Sequence, residues 1–142
     1  MSPLPRFLIF YSALFAAFGV ASPFLPGLMQ QDGLGPNQLG IVLAAGTAIR
    51  LLAGPLGGRL ADQTGRVTTV LAGFTAASAL VAFGYAPARG LLMLLMISVA
   101  HAAVLAPLSP IADALALGSS QNGQRFRYGW VRGAGSAAFI VG

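Results

Sequence analysis

Four apolar runs dominate the chain, each long enough to cross a bilayer. They extend from Phe7 to Met29, about Gln38 to Gly58, Val67 to Ala86, and about Gly90 to Leu117. About 20 helical residues span roughly 30 Å of hydrocarbon, so each run has spanning length. A fifth run opens at Tyr128 and extends to Gly142. In lipid an open strand leaves backbone groups unpaired, so the runs are expected to be helices. The expectation is an all-α polytopic membrane protein with four transmembrane helices and the start of a fifth.

Composition supports that reading. The sequence is 56% hydrophobic and 8% charged, whereas about a quarter of the residues in ordinary soluble domains are charged. Its 8 basic residues are scattered singly among apolar runs, without the dense basic face of a nucleic-acid binder. No nucleic-acid partner is expected; the bilayer itself is. Between the runs lie "QQDGLGPN" (30–37), the tight turn "APARG" (86–90) and the polar, basic "GSSQNGQRFR" (118–127).

The arginines set the orientation. With the N-terminus cytoplasmic, Arg6, Arg59, Arg66, Arg125 and Arg127 all lie inside, and Arg89 is the arginine of an outside loop. The expected location is therefore the inner (plasma) membrane, multi-pass, N-terminus inside. Arg6, the following apolar run and "GVAS" (19–22) also have the outline of a secretory signal, but the run continues through "PFLPGLM" to full spanning length.

Between the second and third runs stands "GGRLADQTGR" (57–66). Topology alone explains Arg59, Arg66 and a turn glycine, but not Asp62, because acidic residues contribute little to orientation. Gly54 and Gly58 are one turn apart and permit close helix approach. A carboxylate beside such a joint can accept hydrogen bonds from the N-terminal amides of a neighbouring helix, in one conformation and not another.

This stretch resembles the loop between helices two and three of the major facilitator superfamily, which reads roughly Gly-x-Leu-Ala-Asp-Arg-x-Gly-Arg-Arg. Gly58, Asp62, Gly65 and Arg66 match; Gln63 and Val67 stand where basic residues are usual. Residues 19–62 are similar to the first two helices of the lactose-permease and phenylpropionate-permease branches, and 126–142 to the start of their fifth helix. The resemblance implies the N-terminal portion, within the first six-helix half (1–142), of a twelve-helix secondary transporter. Such proteins work by alternating access at an interface between two halves. The missing C-terminal helices would then be a partner of this segment. Proton-coupled movement of a small organic solute is implied, with an aromatic or other organic acid as candidate substrate. The alternative reading is a complete small helical membrane protein serving as scaffold or assembly partner; the run cut at "GSAAFIVG" (135–142) favours the larger transporter.

Ionisable residues within apolar runs are functional candidates. Arg50 lies near the middle of the second run on a stripe with Gly46, Thr47 and Gly54. It is a counter-charge for an anionic substrate or a proton-carrying carboxylate, or else a structural pair. Asp113 follows Pro107 and Pro110, and Arg132 opens the fifth run. By resemblance they fall where the lactose permease has its substrate-binding Glu and Arg, while Ser136 and Phe139 replace its Cys and Trp. His101 is a proton relay or a neutral hydrogen-bonding ring; from Asp113 it is about 18 Å along the helix. Tyr11, Phe15, Phe18 and Ser22 recur at helical spacing along the first run, interrupted later by Pro23 and Pro26. Such a stripe packs helices or lipid, or contributes to binding an aromatic acid.

An enzyme is not expected. The sequence has 3 acidic residues, one His and no Cys, without a carboxylate cluster, nucleophile–base arrangement or metal-ligand spacing. No phosphate-cradling loop supports ATP-driven pumping, and neither cofactor nor metal is implied.

Overall fold

The computed structural model describes residues 4–121 and 127–142, so Arg125 of the basic loop lies outside the described residues. Every regular element among them is helical: α1 (Leu4–Gln31), α2 (Pro36–Thr64), α3 (Val67–Phe83), α4 (Gly90–Leu105), α5 (Leu108–Gln121) and α6 (Tyr128–Val141). Leu4–Gln31, Pro36–Thr64 and the continuous stretch Gly90–Ser120 are long and apolar enough to cross a membrane. Val67–Phe83 is shorter, at 17 residues, about the lower limit for a span.

Three boundaries depart from the expectation. α1 runs through Pro23 and Pro26 without interruption. Such prolines are tolerated in membrane helices when neighbouring groups satisfy the freed carbonyls. α2 continues past Gly58 to Thr64, so Arg59 to Thr64 are helical and the connection shrinks to Gly65 and Arg66. Nothing in Leu60–Thr64 breaks a helix. Termination waits for Gly65, whose φ of 61° is the left-handed cap that glycine adopts without a Cβ clash. Its N–H donates to the Asp62 carbonyl oxygen at 3.3 Å. The fourth run is broken into α4 and α5 at Ala106–Pro107, because Pro107 has no N–H to continue the ladder. The ladder resumes at the Ile111 N–H, which donates to the Pro107 carbonyl oxygen at 3.1 Å.

The chain forms two compact units. The first comprises residues 1–28 and 114–142, the second Met29–Asp113. In the first, α1 and α6 approach closely enough that a Cβ on Gly19 would collide with the Phe139 carbonyl, and one on Gly142 would come within 2.6 Å of the Ala16 carbonyl oxygen. Backbone-to-backbone packing of this kind is the geometry that small residues give membrane helices.

In the second unit α2 packs against α4, and α3 against both. Gly57 faces the Pro107 ring so tightly that a Cβ would collide with it, and the Phe74 ring stands 3.4 Å from the same point. Further along, Gly46 meets Ala102 and Gly54 meets the Ala106 carbonyl at ordinary contact distances. At its start α2 is capped by Gln38, whose side-chain oxygen accepts the Gly35 N–H at 3.1 Å, with Pro36 in the first turn. Large apolar side chains such as Leu51, Leu52, Leu80 and Ile140 point outward, as lipid requires.

Candidate functional site

The polar and aromatic residues singled out in the sequence fall into two clusters, one in each unit. In the first unit the α1 stripe is a continuous aromatic stack. Tyr11 is fully buried. Phe15 stacks on it with ring centroids 6.0 Å apart and planes within 14°, and Phe18 meets Phe15 edge-on at 5.8 Å. From α6, the Arg132 guanidinium carbon lies 4.9 Å from the centroid of Phe15. Gly135, on the next turn of α6, leaves room for that ring: a Cβ there would sit 3.0 Å from Phe15 Cδ2. A cation over a ring face gains about 0.5–2 kcal/mol, more where water is excluded. Arg132, Phe15 and Tyr11 thus form one packed stack joining α6 to α1, with the guanidinium at one end and the buried Tyr11 ring at the other.

The second cluster joins α2, α4 and the α3–α4 turn. Tyr85, buried in that turn, donates its hydroxyl to Ser98 Oγ at 3.3 Å. Its ring meets His101 edge-on at 5.6 Å. Arg50 stands on α2, between Gly46 and Gly54. The guanidinium is exposed at the surface of the unit. Insertion measurements put an arginine at mid-bilayer at about 2.5–3.5 kcal/mol, so a position of this kind needs a polar surrounding. Gly46 and Gly54, one turn either side of Arg50, bring α2 against α4 at Ala102 and Ala106.

Asp113 closes the second unit in the first half of α5, half-buried, whereas Arg132 belongs to the first unit. Gly58 lies within α2. Asp62 occupies its last turn, exposed, ahead of Gly65 and Arg66. The carboxylate of Asp62 has no hydrogen-bond partner among the described residues.

One charged pair was not anticipated. Arg89 Nε lies 3.5 Å from Asp32 Oδ1, tying the α1–α2 turn to the α3–α4 turn. The same guanidinium donates to the carbonyls of Ala86 (3.0 Å) and Ala88 (2.7 Å). The available signal was that the two turns each carry one charge, of opposite sign, at the same end of the helical hairpins. Tyr85 and Ser98 were also missed, having no motif to mark them.

The family profile described as "MFS_1 like family" matches residues 4–142. The chain belongs to the MFS_1-like family. Among curated proteins, the MFS_1-like chain is 28% identical over 132 residues to the Probable 3-phenylpropionic acid transporter of Escherichia coli (strain K12), covering 93% of this chain and 35% of that one. It is 29% identical over 136 residues to the Maltose permease of Geobacillus stearothermophilus (95% and 34%). It is 27% identical over 135 residues to the Uncharacterized transporter YwbF of Bacillus subtilis (strain 168) (93% and 33%). The MFS_1-like chain therefore spans about a third of the length of these relatives. No solved structure matches it significantly.

Proposed function

We propose that this MFS_1-like chain contributes the N-terminal helices of a secondary transporter that moves an aromatic organic acid by alternating access. The observation that carries the reading is the Arg132 guanidinium over Phe15, with Tyr11 stacked beneath. A planar cation edged by an aromatic stack is suited to an aromatic ring, and a net charge of +5 favours an anion over a cation as cargo. The relative named as a 3-phenylpropionic acid transporter fits the same class. Proton symport is the coupling mode we favour, because Asp113 and His101 are titratable groups in the fourth apolar run. The reading includes an inner-membrane location with the N-terminus inside, from the arginine bias of the connections.

A second reading, transport of a neutral sugar, has the relative named Maltose permease in its favour. Displacement of labelled 3-phenylpropionate from membranes of cells expressing the gene separates the two. The acid reading expects displacement by unlabelled aromatic acids and none by maltose. Maltose binding without aromatic-acid binding would replace it with the sugar reading.

A further inference from the structure

We infer that Asp32 and Arg89 form a strap that makes the α1–α2 and α3–α4 turns of the second unit open and close together. The strap is independent of what the protein carries, and it lies at the opposite end of α2 from Asp62 and Gly65.

The placement of the two charges is the first indication. Asp32 follows directly on the last residue of α1, where the chain leaves the helix through a Schellman turn. The Leu34 N–H donates to the Met29 carbonyl oxygen at 3.1 Å, and the Gly33 N–H to that of Gln30 at 3.0 Å. Gly33 supplies the left-handed residue, with a φ of 93°. Met29 and Leu34, the apolar pair that accompanies such a turn, are both buried. A helix C-terminus carries partial negative charge, so a carboxylate is disfavoured there. Arg89 has the converse position: it is the N-cap of α4, where partial positive charge disfavours a cation. Each charge therefore stands at the wrong end of its helix. Helix stability explains neither, and each offsets the other's position only while the two are paired.

The contact geometry is the second indication. Arg89 Nη1 is tied to its own turn through the carbonyls of Ala86 and Ala88. Its Nε lies 3.5 Å from Asp32 Oδ1, longer than the roughly 2.7–2.9 Å of a charge-assisted hydrogen bond. Asp32 Oδ2 is enclosed and accepts no hydrogen bond among the described residues. A guanidinium can engage both oxygens of a carboxylate through Nε and Nη2, on the edge away from Nη1. The strap is thus half engaged, and its second bond can form without giving up those to Ala86 and Ala88. An enclosed acceptor without a donor is unfavourable, which favours closure of the two turns on one another.

Hydrogen–deuterium exchange on the gene product with its native downstream sequence, in detergent, tests the coupling, because each substitution is read at the other turn. Arg89→Ala is expected to speed exchange of the Gly33 and Leu34 amides about two- to five-fold, and Asp32→Asn to do the same at Ala86 and Ala88. Arg89→Lys keeps the charge without the fork, and is expected to accelerate Gly33 and Leu34 less than Arg89→Ala does. The swapped pair, Asp32→Arg with Arg89→Asp, restores the attraction and puts each charge at the end its helix prefers. It is expected to return both turns to wild-type protection or beyond. Effects confined to the substituted turn, or a swapped pair that exchanges as fast as the single variants, would overturn the inference. If the swapped pair fails to reach the membrane, the single variants decide by their effect on the opposite turn.

Discussion

The guanidinium of Arg132 lies 4.9 Å from the centre of the Phe15 ring, joining α6 to the aromatic stripe of α1 within one compact unit. Phe15 is held from the other side by Tyr11, so the cation, the ring and the second ring form one stack. Phe15→Leu keeps an apolar side chain and removes the π face. It is expected to weaken binding of 3-phenylpropionate by about 0.5–2 kcal/mol while leaving an aliphatic acid of similar length unaffected. Inhibition constants for the two acids read this directly; an equal loss for both would place Phe15 in packing alone.

Gly57 and Pro107 are in contact where α4 gives way to α5. Gly57→Ala inserts a methyl group into the Pro107 ring and is expected to destabilise the protein by about 1–3 kcal/mol, as overpacking does. Gly73→Ala, at a position where a Cβ meets nothing within 4 Å, is expected instead to gain up to about 1 kcal/mol from helix propensity. Thermal unfolding of the two variants in detergent should move in opposite directions.

What the sequence revealed and concealed separates along physical lines. Apolar run length marked the three stretches long and apolar enough to cross a membrane, because bilayer thickness fixes it. The third run, expected over Val67 to Ala86, forms a helix only to Phe83. Polarity in "GGRLADQTGR" was read as loop, yet residues to Thr64 are helical: polar side chains report depth in the membrane, and only Gly65 stops the helix. The fourth run hid its break because a single proline in an apolar segment can either kink a helix or end it; here Pro107 divides α4 from α5. Arg132, Arg50 and His101 were visible as candidates from their cost in lipid, and Phe15 from its place in an aromatic stripe at helical spacing. Their juxtapositions were not, since each joins helices distant in the chain. Tyr85 is the clearest omission: a tyrosine at the end of an apolar run looks like an interfacial anchor, and only packing turns its hydroxyl to Ser98.

The Asp32–Arg89 pair is asymmetric: the Asp32 side chain is 17% exposed and that of Arg89 66%. Asp32 Oδ2 is enclosed and accepts no hydrogen bond among the described residues. Removing Arg89 leaves that carboxylate without its cation, so Arg89→Ala is expected to cost more stability than the double change with Asp32→Asn. A double-mutant cycle should give a coupling of about 0.2–1 kcal/mol that shrinks as salt rises. A coupling of zero at low salt would show that the pair contributes nothing.

Asp62 is exposed on the last turn of α2, one turn before the left-handed glycine that ends it. In the proposed transport cycle its carboxylate would meet a helix N-terminus in one state. Asp62→Asn is accordingly expected to lower turnover several-fold, with a smaller change in the affinity for substrate. Comparing the maximal rate of uptake with the equilibrium binding constant makes the distinction; a large loss of binding with turnover intact would contradict the latch.

The central claim is transport itself, and uptake of labelled 3-phenylpropionate into vesicles carrying the gene product, under an imposed proton gradient, tests it most directly. The account predicts saturable accumulation that follows the gradient and collapses with a protonophore. Uptake no greater than in empty vesicles, or saturable uptake of maltose alone, would contradict it.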